Sequence, residues 1–202
     1  FTGPLGGTIG TLASIGWIPK GPLLWVNRAG HTWNPEDITR QADLLADVNK
    51  DAVCAIWERA AGHRNGRGLE LGWDHTVYRR LRTKWRNEGQ FSQLGTLEVA
   101  MAAGFWPQQR HHEAGYSACS LCPHCGREEQ DDYHLIWGCD ELAWCNVPAI
   151  QDSQWLKSQA EDEYEATPCW WLRGMVPKGR TFPAQLPGGW VRQVGNRARP
   201  DP

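Results

Sequence analysis

No stretch of this 202-residue chain is both long and apolar. A membrane-spanning helix needs about 20 strongly apolar residues. The uncharged residues 1–19 come nearest, but they are broken by Gly3, Gly6, Gly7, Gly10 and Gly16 and by Pro4 and Pro19. No basic leading region precedes them, so a secretory signal is not expected either. The expected setting is intracellular, nuclear or cytoplasmic, without membrane contact. The chain opens on Phe1 rather than Met, which fits a processed product or an excerpt of a longer chain.

Catalytic signatures are lacking as well. There is no Gly-Lys-Ser or Gly-Lys-Thr phosphate loop, no G-x-S-x-G elbow and no H-E-x-x-H pair. Their absence removes the usual frameworks for phosphoryl transfer, acyl transfer and zinc proteolysis. No catalytic residue is assigned, and the chain by itself is not expected to be an enzyme. Cysteine is neither dense nor even in number, since seven residues in 202 argue against a disulfide scaffold. Charged residues make up only 22%, too few for full disorder in a chain with thirteen tryptophans to pack.

What is present is unevenly distributed. The net charge of −2 hides a basic stretch, residues 59–86, with eight Lys or Arg against Glu70 and Asp74. Residues 128–165 carry eleven acids against Lys157 alone. A basic face of this kind suits a polyanion.

Hydrophobic periodicity points to helices. Asn34-Pro35-Glu36-Asp37 reads as a helix start, with a capping side chain, proline in the first turn and acids at the positive end of the dipole. Ile38, Leu45, Val48, Ala52, Ile56 and Trp57 then recur at three-to-four spacing to about Ala61. The glycine-rich residues 62–68 break this helix with a flexible basic loop. Further helices are expected over His75–Asn87, over Ser92–Ala103 and, more weakly, near Gln154–Glu165. The expected fold is mainly α: helical segments with a small CCHC zinc knuckle and irregular, loop-rich termini. The organisation divides into a loop-rich stretch (1–33), a helical basic segment (34–108), a zinc-binding module (109–147), and an acidic, then Pro/Gly-rich and linker-like tail (148–202).

The sharpest motif is Cys122-Pro123-His124-Cys125-Gly126 followed by His134 and Cys139, a C-x2-C-x8-H-x4-C spacing. The proline turn aims two sulfurs at one point, and Gly126 lets the following backbone N–H groups approach them. Paired ligands supply the four N/S donors of tetrahedral zinc, so one structural Zn2+ is expected on Cys122, Cys125, His134 and Cys139. Residues 131–137 would form a helical turn or two presenting His134, with Asp131-Asp132 acting as a helix cap. Gly138 would end that turn so that Cys139 can swing in. Cys119 and Cys145 remain possible substitutes, but only the pair flanking Pro123 has the knuckle form. His111-His112-Glu113 invites comparison with zinc deaminases, yet it lies too close to Cys119, and four protein ligands leave no water position.

Arg79, Arg80, Arg82, Lys84 and Arg86 fall within eight residues, interleaved with Tyr78, Leu81 and Trp85. At 100° per residue, Val77, Tyr78, Leu81 and Trp85 gather on one side and the cations cover the other. Such a helix binds phosphate backbones through charge rather than sequence, and Arg64 and Arg67 would extend the track.

The cysteine–histidine run, together with Tyr133-His134-Leu135-Ile136-Trp137 and Cys139, resembles the zinc-binding segment after the reverse transcriptase domain of non-LTR retrotransposon polyproteins. The lead-in Arg110-His111-His112-Glu113-Ala114-Gly115-Tyr116 is similar to that family's approach to its knuckle. Upstream, residues 10–17 with Trp25 and Trp33 resemble the region past the polymerase palm. Downstream, residues 169–177 resemble the linker before a ribonuclease H domain. The resemblance is specific only over residues 110–144 and implies the same four zinc ligands. The polymerase's paired aspartates and a ribonuclease carboxylate set are absent, so the resemblance carries binding and no activity. It implies RNA or DNA as partner, with flanking polymerase and ribonuclease H domains. Two rivals remain: a zinc-stapled assembly subunit whose tryptophan surfaces meet protein partners, and a thiol redox switch on Cys119, Cys122 and Cys125.

Overall fold

The computed structural model describes residues 3–21, 23–34, 36 and 38–180. The proline- and arginine-rich stretch from residue 181 lies outside them. The fold is mainly α, with a single three-stranded antiparallel sheet among the described residues.

The N-terminal stretch is not the irregular segment expected from its glycines. It forms a helix, α1 (Pro4–Ser14), with proline in its first turn, and then a meander of β1 (Ile18–Gly21), β2 (Leu24–Val26) and β3 (Thr32–Trp33). Helical glycine costs about 1 kcal/mol relative to alanine. Packing of Ile9 and Leu12 onto a buried cluster offsets that cost. In the sheet, Pro19 pairs with Trp25 and Trp25 with Trp33. Side chains two residues apart share a face, so Trp17, Trp25 and Trp33 all turn inward and are buried.

They meet α2 (Gln41–Ala61) through Leu44, Val48, Ala52 and Ala55. This helix begins later than the Asn34 signal implied. The Asn34 side chain instead accepts a hydrogen bond from the N–H of Glu36, closing a local turn, and a 3-10 turn (Ile38–Arg40) leads into the helix. Two acids of α2 satisfy the indoles above them. Trp17 Nε1 donates to Asp51 at 2.7 Å and Trp33 Nε1 to Asp47 at 3.0 Å, while Asn27 Nδ2 also donates to Asp47 at 2.8 Å. Asp51 is itself buried. Asp51→Ala would orphan the Trp17 donor, and urea denaturation should show a loss of about 1–3 kcal/mol.

The next helices are α3 (His75–Asn87), α4 (Phe91–Met101) and α5 (Gln108–Glu113), matching the expected second and third helices closely. A second cluster joins Leu69, Trp73, Cys169 and Met175 with Trp57, Tyr78 and Met101 at its edge. After the cysteine–histidine region come α6 (Pro148–Gln151), a 3-10 turn (Gln154–Leu156), α7 (Lys157–Glu163) and α8 (Pro168–Trp171). A third cluster packs Ala160, Trp171 and Leu172 with Tyr133, Ile136 and Trp137.

Residues 168–177 therefore are not a linker. Cys169, Trp171, Leu172, Arg173, Met175 and Val176 are all buried, and the segment runs between the second and third clusters. Arg173 donates from Nε to the Met101 carbonyl at 2.9 Å and from Nη1 to the carbonyls of His63 and Arg64 at 3.5 and 3.4 Å. These carbonyls lie at or just beyond the ends of α4 and α2, where unpaired acceptors concentrate. Burial holds the Arg173 guanidinium below its ordinary pKa.

Candidate metal centre and basic surface

The ligand motif folds by local rules. Gly126 takes a left-handed φ of 65°, and its N–H closes a turn onto the Cys122 carbonyl at 2.8 Å. The chain then returns so that Cys122 N donates to the Glu128 carbonyl at 2.7 Å. The N–H groups of Arg127 and Glu128 point at the Cys125 sulfur and, in that order, pull its pKa down to about 6. Burial pushes the Cys139 thiol the other way, up to about 11.

His134 comes from a short wide helix, His134–Gly138, entered at Asp132. Asp131 caps it as expected, accepting the His134 N–H at 2.6 Å. The wide turn brings Cys139 back, with its N–H donating to the His134 carbonyl at 3.1 Å. A Cβ on Gly138 would meet the Tyr133 ring at 3.2 Å and His134 Nδ1 at 3.4 Å. Gly138 thus gives the wide turn the room it needs against both side chains.

Cys122, Cys125, His134 and Cys139 converge with their donor atoms all within 4.8 Å of one another, so the four can hold a metal ion. Cys122 Sγ lies 3.9 Å from Cys139 Sγ, and Cys125 Sγ lies 3.5 Å from His134 Nε2. The other imidazole nitrogen, Nδ1, lies 3.0 Å from Glu128, which fixes the ring and leaves Nε2 facing the sulfurs. Gln130 Nε2 donates to Cys122 Sγ at 3.5 Å. Cys122, His134 and Cys139 are buried and Cys125 half-buried. Neither Cys119, Cys145 nor His124 joins the group. Cys119 is exposed, its sulfur accepting the Leu121 N–H at 3.3 Å.

No protein-family model, curated protein or solved structure matches the chain. Nothing in those comparisons identifies a segment associated with reverse transcriptases.

The module is tied to the helical part by a residue that sequence reasoning had placed only in the lead-in. Arg110, on α5, pairs with Asp132 and also donates to the carbonyls of Ala103 and Phe105. Asn65 Nδ2 donates to the same Asp132 carboxylate at 2.7 Å. The basic loop is therefore anchored rather than flexible. Asn65 holds Asp132, Arg64 and His63 accept from Arg173, and the Arg67 carbonyl accepts the Cys169 N–H. Gly66 is indispensable to this packing, because a Cβ there would lie 2.0 Å from the Ala60 carbonyl.

α3 presents most of the expected cations. Asp74 caps it by accepting the Thr76 N–H at 2.8 Å, and hydrogen bonding to Thr76 keeps its carboxyl below the usual range. The apolar stripe packs as expected at Tyr78, Leu81 and Trp85, which are half-buried, although Val77 is exposed. Tyr78 OH donates to Glu98 of α4 at 2.8 Å. Arg79, Arg80, Lys84 and Arg86 are exposed, as are Arg64 and Arg67. Arg82 departs from the expectation. It is half-buried, with 42% of its side chain exposed, and its Nε lies 3.9 Å from Glu98 of α4. Trp137 is half-buried, and its Nε1 donates to the Trp171 carbonyl at 2.8 Å within the third cluster. Among the described residues, no helix is long and apolar enough to cross a membrane.

Proposed function

We propose that this chain is a zinc-stabilised, non-catalytic nucleic-acid-binding module of a retroelement reverse transcriptase-like protein, positioning an RNA or DNA template or target for chemistry done elsewhere. Zinc is supported by donor chemistry and spacing. With Zn–S bonds of about 2.3 Å, a tetrahedral shell has edges of about 3.8 Å. The Cys122–Cys139 and Cys125–His134 separations of 3.9 and 3.5 Å fit such edges. Three sulfurs and one imidazole favour zinc over calcium or magnesium, which take oxygen ligands. Four protein ligands close the shell, which makes the ion structural. When bound it fixes the CCHC knuckle, while Glu128 and Gln130 orient His134 and Cys122.

The observation that carries nucleic-acid binding is the exposed cation row on α3. Arg82 is the one α3 cation in an ion pair among the described residues, leaving Arg79, Arg80, Lys84 and Arg86 open to phosphates. Neutralising about four phosphates should weaken duplex binding roughly a hundredfold between about 50 and about 200 mM salt. Fluorescence anisotropy across that range measures it. Charge reversal of Arg80, Lys84 and Arg86 to Glu should flatten the slope and remove most of the affinity. Retained binding by that variant, or a flat salt response in the parent, would favour the zinc-stapled assembly subunit. One feature supports that second reading: Trp144, five residues after Cys139, is 80% exposed.

A further inference from the structure

Between α2, the turn before α3 and the segment 178–180 lies a cleft of about 840 Å³. Its walls combine two chemistries. Trp57 forms part of one side and the rim of Trp73 another. Val53 and Leu71 line it as well, 52% and 78% exposed, apolar side chains facing water with nothing packed over them. Lys50, Arg79 and Lys178 line the same cleft, all exposed and all outside the ion pairs formed among the described residues.

The two acids on the lining remain ionised and accept backbone N–H bonds. Asp74 caps α3 through Thr76, and both Glu70 carboxylate oxygens accept the Gly68 N–H, at 3.0 and 3.1 Å. Arg180, at the far edge, pairs with Glu163 and covers the Trp170 ring at 4.1 Å. Lys50, Arg79 and Lys178 outnumber the ionised Glu70 and Asp74 on the lining, so the charge outside ion pairs is a net +1 (three cations less two acids), and it borders an apolar, partly aromatic floor.

We infer that this cleft seats unpaired nucleotides of a single-stranded polynucleotide. Bases would lie against Trp57, Val53 and Leu71, and phosphates against Lys50, Arg79 and Lys178. The inference rests on the nucleic-acid reading above and gives it a place and a strandedness. A duplex keeps its base faces stacked inside and offers only groove edges and phosphates. A cleft that mixes an apolar floor with cations matches splayed bases on a charged backbone instead. Arg79 connects this cleft to the row on α3, because Arg86 follows it at i+7 on the same helix face. A strand leaving the cleft therefore meets the outer cations of α3 next.

The test uses the full chain and anisotropy with a single-stranded DNA, a single-stranded RNA and a duplex of equal length at low salt. Lys50→Glu with Lys178→Glu touches only exposed side chains, and Leu71→Asp probes the apolar floor. Unchanged thermal melting and metal content check the fold of each. The expected result is at least a tenfold loss of single-strand affinity in both variants, with duplex affinity changed less than threefold. The α3 reversal should weaken all three ligands. If only the α3 reversal acts, the cleft proposal fails and the basic-helix reading survives. If neither acts, both fail. Equal losses for single strand and duplex, or equal competition by poly-glutamate, would reduce the cleft to part of a general positive field and overturn the inference. A difference between the DNA and RNA arms identifies which strand the cleft prefers.

Discussion

Cys139→Ala should reduce the zinc content of the purified chain from one equivalent to almost none by elemental analysis. Cys139 is buried at the end of the ligand run, and its sulfur lies 3.9 Å from that of Cys122. Alanine leaves three donors around a site built for four. Structural zinc in small modules contributes apparent binding energies of about 10–16 kcal/mol, comparable to the whole stability of a domain, about 5–15 kcal/mol. Within residues 121–131 the local structure is only the short Leu121–Glu129 bridge, turn bonds and one capping acid, while residues 132–137 are held by Arg110, Asn65 and the third cluster. Amide exchange should therefore lose protection there and in the third cluster, which takes Tyr133, Ile136 and Trp137 from this region. Residues 41–61 should keep theirs, because α2 packs on the sheet and α1. Cys119→Ala and Cys145→Ala should retain full zinc, since neither sulfur belongs to the group. Zinc loss in Cys119→Ala, or its retention in Cys139→Ala, would contradict the ligand set. A chain that binds no zinc and instead forms a reversible disulfide among Cys119, Cys122 and Cys125 would support the redox alternative.

Asp132→Ala should be costly although it lies outside the cysteine–histidine group. Its carboxylate is the meeting point of Arg110 on α5 and Asn65 in the basic loop. The side chains of Arg110 and Asp132 are only 12% and 19% exposed. Removing one member of a buried pair strands the other charge and costs about 3–5 kcal/mol. The remaining exposure puts the expected loss near the lower figure, with a lower urea midpoint. The double change Arg110→Met with Asp132→Leu should recover much of it, because no buried charge is left behind. A loss under about 1 kcal/mol in Asp132→Ala would show that water screens the pair and that the module is held by other contacts. Arg80→Ala, on an exposed face of α3, is the natural control and should change stability very little.

The cysteine–histidine group and α3 were legible in the sequence for the same reason: each signal is local. The four members of the group span residues 122–139, and proline, glycine and a capping acid shape the turns between them. The extent of α3 follows from an apolar stripe at helical spacing, and in the structure Asp74 caps its start. Composition misled where burial decided. Seven glycines suggested loops over residues 1–33, yet the inward tryptophans of the sheet and the apolar side of α1 make a core that overrides propensity. The tryptophan excess finds its explanation in three small clusters, which take eight of the thirteen indoles as core or edge. Indoles fill these clusters while their N–H groups reach acceptors such as Asp47, Asp51 and the Trp171 carbonyl.

Taken alone, the sequence determined that the chain is mainly helical, that one helix carries an exposed row of cations, and that three cysteines and a histidine can hold one metal ion. The tertiary structure alone decided that Arg82 turns toward Glu98, that Arg173 ties residues 63, 64 and 101, and that Asp132 joins Asn65 to Arg110. It also decided that residues 168–177 are core and that α2, the turn before α3 and residues 178–180 enclose a cleft. Local features repeat at the period of a turn or helix and can be read along the chain. The tertiary contacts here join residues from about 16 to more than 100 positions apart, as Arg82 with Glu98 and Arg173 with His63 show. Only the packing of the clusters selects those pairs.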